Sequence, residues 1–231
     1  MRQLLLVTIV GLASFGFRVG IEAQVPLDTA VYAVAYVDVM PSGKSAAVTA
    51  LKTYRDASSR EAGYVRIDFF EQVGRPGHFA VVEAWRDQSA LDAHTGSPAT
   101  KQLQQAMMSV RVSGYDQRPY KSLSVAPSRP ATAPAAVHIV SHVDFAGAGA
   151  LAAAPGMLQQ LAETSRKEQG NLRFDVLQHV MRANHFTVVE SWASQAALDA
   201  HAAAASTRQY RDALQPITGS PLDERVYVAV D

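Results

Sequence analysis

Over residues 64–72 apolar and polar side chains alternate, with Val65, Ile67 and Phe69 on one side and Arg66 and Asp68 on the other. A period of two is that of a strand with one apolar face. The alternation returns farther along, where Leu172, Phe174 and Val176 oppose Arg173 and Asp175. Each of these runs is followed by a short turn, GRPG at 74–77 or MRAN at 181–184, and by a second β-favouring run, HFAVVEAW at 78–85 or HFTVVESW at 185–192. Two more such runs lie upstream, at 31–39 and 137–145. Between 145 and 170 the spacing changes: Met157, Leu158, Leu161, Ala162 and Ser165 recur every three or four residues, which predicts a helix with one buried stripe. Gly170, like Gly63 in the first half, is expected to end that helix, because glycine enters the left-handed conformation without penalty. A second helix is predicted from about Ser89 and from about Gln195. In the first half it breaks at Gly96-Ser97-Pro98 and resumes through KQLQQAMM, and a last strand carries Tyr120 or Tyr227. The order β-α-β-β-α-β is that of a ferredoxin-like unit, and it occurs twice.

The two halves are copies of one sequence. At an offset of 107, residues 62–94 match 169–201 without gaps, and 17 of the 33 positions are identical. The shared residues include Arg66/Arg173, Asp68/Asp175, His78/His185, Glu83/Glu190, Trp85/Trp192 and His94/His201. Arg118/Arg225 and Tyr120/Tyr227 keep the same offset. Residues 122–136, with three prolines among small residues, read as a loose linker. The expected domains are therefore 28–121 and 137–231. A ferredoxin-like sheet covers only one face with helices, so its other face needs a partner. A tandem chain can supply one itself, as an intrachain pseudo-dimer, and further association into a homodimer stays open.

Composition narrows the chemistry. Lys+Arg and Asp+Glu are both 21, so the chain has no net charge with which to attract nucleic acid or an anionic membrane. The absence of cysteine removes disulfides, thiolate nucleophiles and Cys-ligated metal. At the N-terminus Arg2 precedes a charge-free run over residues 3–17, which reads as a signal peptide of about residues 1–23, cleaved before Gln24. A periplasmic or secreted protein, free of the membrane after cleavage, is the expectation. Neither a P-loop nor a GxGxxG pattern occurs. His138 and His142 are four apart, but on a predicted strand that spacing spans roughly 13 Å, too far for two ligands of one ion.

The string HFxVVExWxxQxALDAH, at 78–94 and 185–201, resembles the signature of the antibiotic biosynthesis monooxygenase family. The resemblance implies an α+β fold in which two tandem ferredoxin-like domains form an intrachain dimeric α/β barrel. It implies a pocket between helices and sheet, and cofactor-free oxidation of a small aromatic or quinol with dioxygen. Non-catalytic ligand binding on the same fold, and haem binding or degradation, are the alternatives. Some relatives place an Asn four residues before the Trp; here those positions are Val81 and Val188, which cannot hydrogen-bond through their side chains.

Oxygenation without a cofactor needs a base near neutral pH, an apolar pocket and a way to stabilise a substrate anion. His94 and His201 are the candidate bases or anchors, since imidazole titrates near the working pH. Trp85 and Trp192 are candidate pocket walls. Glu83 and Glu190 share strand parity with these tryptophans and with Phe79 and Phe186, and are candidates for substrate binding or for ion pairs with Arg66 and Arg173. Tyr120 and Tyr227 are candidate donors to a substrate oxygen, although a strand tyrosine is more commonly an interface residue. His78 and His185, opening a strand after a turn, read as exposed turn residues. Around the expected pocket Tyr64 becomes Asn171 and Arg86-Asp87 become Ala193-Ser194, so the two sites have diverged and one is free to have degenerated.

Overall fold

The computed structural model describes residues 29–127 and 135–230. The expected signal peptide and the middle of the expected linker lie outside the described residues. The first copy comprises β1 (Val31–Asp38), α1 (Lys44–Ser58), β2 (Tyr64–Gln72), β3 (His78–Trp85), α2 (Gln88–Thr95), α3 (Pro98–Met107) and β4 (Asp116–Ser124). The second comprises β5 (Val137–Asp144), α4 (Ala148–Ser165), β6 (Asn171–His179), β7 (His185–Trp192), α5 (Gln195–Ala203), α6 (Ala205–Leu214) and β8 (Asp223–Ala229). Within each copy the strands lie antiparallel in the order 4-1-3-2 of a ferredoxin-like sheet. The copies are joined at two seams, β2 against β8 and β4 against β6, so that the eight strands close a barrel. β4 runs on to Ser124, into the stretch that composition marks as linker, because its last residues pair with Leu177 and Val176 of β6.

Strand alternation divides the apolar residues into three cores. Phe79, Val81 and Trp85 of β3 face α1–α3, and Phe186, Val188 and Trp192 of β7 face α4–α6. The intervening residues Ala80, Val82, Ala84 and Val189 face the barrel, with Tyr32, Val34, Phe70, Tyr120, Leu177 and Tyr227. The pseudo-dimer is thus held by a shared apolar lumen. Val65 does not join Ile67 and Phe69, as strict alternation predicts. A bulge between Tyr64 and Arg66 shifts the register, and Val65 packs against the lumen.

Asp68 lies opposite Val82 and Asp175 opposite Val189, so both belong to the barrel face. There Arg66 pairs with Asp68 at 3.0 Å and Asp175 at 3.3 Å, while Arg173 pairs with Asp175 at 2.5 Å and Asp68 at 2.9 Å. These four residues cross the joint between the copies, as the polar stripe suggested. The expected alternative pairing of Arg66 and Arg173 with Glu83 and Glu190 does not occur. The glutamates stand at odd positions of β3 and even positions of β7, on the helix side of the sheet.

Gly63 and Gly170 do not cap helices. α1 ends at Ser58 and α4 at Ser165, and each glycine closes a five-residue turn that leads into the next strand. Both have positive φ, 82° and 84°, and a Cβ would stand 2.5 Å from Ala90 Cβ or 2.6 Å from Ala197 Cβ. Only glycine satisfies both the dihedral and the contact. The second helix of each copy is split in two. Ser97 caps α3, as the Gly-Ser-Pro break predicts, but the break before α6 falls at Ala204, in extended backbone, without a glycine or proline to announce it.

Candidate active site

β3 ends by sending Glu83 and Trp85 to the helix side, and one face of α2 brings His94 against them. The indole and imidazole stack at 4.1 Å between ring centroids, 25° from parallel. Trp85 Nε1 donates to Glu83 Oε2 at 3.1 Å, and His94 Nδ1 meets Glu61 Oε2 at 2.8 Å. Glu61 lies in the turn that Gly63 closes. From α1, Tyr54 inserts its hydroxyl between the other two groups, donating to Glu83 Oε1 at 2.7 Å and standing 2.5 Å from His94 Nε2. Glu83, Trp85, His94 and Tyr54 are all buried. Burial raises the Glu83 carboxyl above its ordinary range, against the opposing pull of His94 and of the hydrogen bonds from Tyr54 and Trp85. Burial and the Glu83 charge push the Tyr54 phenol up as well.

The second copy repeats the frame. Trp192 stacks on His201 at 4.5 Å and 26°, Trp192 Nε1 donates to Glu190 Oε2 at 2.9 Å, and His201 Nδ1 meets Glu168 Oε2 at 2.9 Å. The phenol is missing. Position 161, which answers 54 at the offset of 107, is leucine. The equivalence is structural too, since Ala47, Leu51 and Ser58 of α1 are buried as are Ala154, Leu158 and Ser165 of α4. His201 Nε2 and Glu190 Oε2 stand 3.7 Å apart, too far for a hydrogen bond. Beside them is a chamber of about 30 Å³, lined by Glu190, His201, Thr207, Tyr210 and Arg211. A groove of about 160 Å³ between α4 and α6 shares Leu161 and Tyr210 with it. The Tyr210 hydroxyl is buried without a hydrogen-bond partner. Burial pushes the Glu190 carboxyl up to about 8, with the Trp192 hydrogen bond opposing. Burial lowers the His201 imidazole, with Glu168 opposing.

The model of the antibiotic biosynthesis monooxygenase family matches residues 30–106 and 146–213, more than half of the chain and both copies. The chain belongs to this family. Its fold is shared with a candidate monooxygenase from Fusobacterium nucleatum, at a TM-score of 0.80 and 12% identity over 88% of this chain and 93% of that one. It is shared also with a candidate monooxygenase from Lactobacillus acidophilus, at 0.74 and 13% over 88% and 95%. An anthrone oxidase-like protein matches at 0.67 and 12% over 88% and 92%. A search of curated proteins finds no match.

Against this monooxygenase-family frame, the structure gathers some of the candidate residues and separates others. Glu83, Trp85 and His94 form one cluster, and Glu190, Trp192 and His201 the other. Phe79 and Phe186 share the helix side but lie six residues from the tryptophans, roughly 20 Å along the strand. Tyr120 and Tyr227 point into the barrel lumen and touch neither cluster. Tyr120 meets His185 Nε2 at 3.0 Å, and His185 Nδ1 meets Asp144 at 2.8 Å. His185 is therefore buried rather than an exposed turn residue, because its strand begins inside the barrel; His78 is half-buried against Asp38 at 2.7 Å. His138 and His142 sit in β5, bonded to Ser191 and Thr187 at 2.8 Å each.

Sequence reasoning missed Glu61 and Glu168. The signal was present, because these residues also answer each other at the offset of 107, one position before the matched segment. Tyr54 and Tyr210 carried no such signal, since each occurs in one copy only.

Proposed function

We propose that this protein is an exported, cofactor-independent monooxygenase of the antibiotic biosynthesis monooxygenase type, acting with dioxygen on a small aromatic or quinol. The observation that carries this reading is the buried imidazole stacked on an indole, held at Nδ1 by Glu61 or Glu168 and turning Nε2 towards a buried carboxyl. A neutral imidazole whose Nδ1–H is donated to a carboxylate has its Nε2 lone pair free to take a proton. In the second copy that nitrogen borders the chamber. A hydroxyl there would give its proton to His201, and its oxygen would become electron-rich enough to pass an electron to dioxygen. Burial favours the protonated form of Glu190, which does not repel the anion and can donate to it. Arg211, on the chamber wall, is paired with Glu224 of the same wall at 3.2 Å, so the two charges offset each other there. In the overall step one oxygen atom enters the product and the other leaves as water, the substrate supplying two electrons and two protons.

The haem alternative does not suit the geometry. His94 Nε2 already faces Tyr54 at 2.5 Å and Glu83 at 3.5 Å, and His201 Nε2 opens on a chamber of about 30 Å³, far smaller than a porphyrin. Export is supported by Arg2 and the charge-free run over 3–17. The test is oxygen uptake by the mature exported protein, whose first residue is expected near Gln24, with a panel of quinols and polyphenols. Uptake above autoxidation should vanish in the double variant His94→Ala/His201→Ala. Uptake that persists unchanged in the folded variant would remove the histidines from the chemistry.

A further inference from the structure

The two clusters repeat the indole–imidazole stack, the indole–carboxyl bond and the carboxylate–imidazole contact, and they differ in what fills the space between the carboxyl and the imidazole. In the first copy that space holds a phenol. The Tyr54 hydroxyl lies 2.7 Å from Glu83 Oε1 and 2.5 Å from His94 Nε2, and a tilted imidazole–phenol ring contact at 5.3 Å completes its setting. A hydroxyl has one proton, so of these two contacts it makes one as donor and the other as acceptor. The site is therefore built for a group that both gives and accepts a hydrogen bond.

The second copy keeps the receptor and lacks the guest. Leu161 is too short to span the space and has no polar atom. Glu190 and His201 are left too far apart to bond each other, at 3.7 Å, with the chamber beside them. The groove of about 160 Å³ that adjoins it is close in size to a cavity that takes a benzene ring. It is walled by Met157 and Leu161 on α4 and by Tyr210 and Ala213 on α6, and Leu161 and Tyr210 stand between groove and chamber. The unpartnered Tyr210 hydroxyl offers a further polar contact where first-copy residue 103 is leucine.

We propose that the copies have divided their roles: the second binds a single-ring phenol with its hydroxyl between Glu190 and His201 Nε2, where the first is permanently occupied by its own Tyr54. The ring enters through the α4–α6 groove by displacing the Leu161 side chain. The chain then has one ligand site, not two, and Tyr54 is the internal likeness of the ligand. This deepens the proposed function by naming the substrate class and the competent copy, but binding can be read without turnover.

The probe is 4-fluorophenol, followed by fluorine NMR and calorimetric titration of the full mature chain. One equivalent should bind. In Leu161→Tyr, which rebuilds the first-copy arrangement in the second copy, and in Glu190→Leu, which removes the hydrogen-bonding group, the dissociation constant should rise at least tenfold. Circular dichroism and the thermal midpoint report whether each variant is folded, and Glu190→Leu carries the test if Leu161→Tyr is not. Two equivalents bound by the wild type, no binding by the wild type, or undiminished binding in the folded variants would each overturn the proposal. One equivalent bound, lost in the variants and accompanied by no oxygen uptake with any quinol, would sustain the division of roles and refute the monooxygenase reading.

Discussion

In the first copy Tyr54 closes the Glu–Trp–His cluster; in the second Leu161 leaves it open, and Tyr210 stands nearby with its hydroxyl unbonded. The backbone frame, the stack, the Glu–imidazole bond and the indole–carboxyl bond are common to both. The difference teaches how a fused repeat escapes a constraint on a symmetric dimer. When two identical chains pair, any substitution appears in both sites at once. Once both copies lie in one chain, a residue that completes the core of one half can be withheld from the other. One half then gains a closed cluster whose carboxyl and imidazole are both bonded, and the other keeps an unbonded hydroxyl beside a cavity, which is where ligand binding can recover energy.

The largest expected effect comes from the open site's carboxyl. Glu190 is raised by burial from 4.5 to about 8, so the folded protein holds a proton that the unfolded chain has lost. That contribution is complete below pH 4.5 and disappears as the pH rises to 8. At about 1.4 kcal/mol per pH unit it amounts to about 5 kcal/mol at most. His142 acts in the opposite direction. Burial, with Arg118 and His185 nearby, lowers it to about 3, so its contribution is lost as pH falls below 6.5. Urea unfolding should therefore show stability falling between pH 6.5 and 8, and Glu190→Gln should lose most of that fall. An equal fall in the variant would mean that Glu190 is ionised in the folded state.

The joint between the copies is the next test. Arg173 is nearly buried and holds both Asp68 and Asp175, whereas Arg66 is about one-fifth exposed. Arg173→Met should cost about 3–5 kcal/mol, because it leaves Asp175 buried without its closest cation. Arg66→Met should cost less, since water reaches that side. Equal costs in denaturant titration would show that the two halves of the network are equivalent after all.

The smallest effects carry the sharpest contrast. Tyr54→Phe removes a hydroxyl that satisfies Glu83 and His94, and should destabilise by about 1–3 kcal/mol. Tyr210→Phe removes a buried hydroxyl that has no partner, and should be neutral or stabilise by an amount of the same order. Changes of the same sign and size would erase the distinction between a closed and an open site.

The strands, their order and the duplication were legible because period-two patterning and a gapless offset are local signals. Glu83, Trp85 and His94 were legible together because a strand end and the next helix turn bring them together within eleven residues of chain. For Tyr120 and Tyr227 the sequence leaves a substrate contact and an interface position both open, because repetition marks importance without telling which side of the sheet they face; they lie in the lumen shared by the copies. Tyr54 was invisible. Its role is set by a contact 40 residues away with His94, and its counterpart lacks the functional group, so no repetition flagged it. The break at Ala204 escaped for the converse reason, since tertiary packing turns the chain there with residues that favour continued helix.

Neither copy owns a complete barrel, because β2 needs β8 and β4 needs β6. In a dimer of separate chains that closure would be a bimolecular equilibrium, lost at low concentration. Here the two halves are tethered, and the seam sees an effective concentration set by the linker rather than by the solution. The barrel, and with it the α4–α6 groove, should therefore persist at any dilution, a property suited to a protein expected to work outside the cytoplasm.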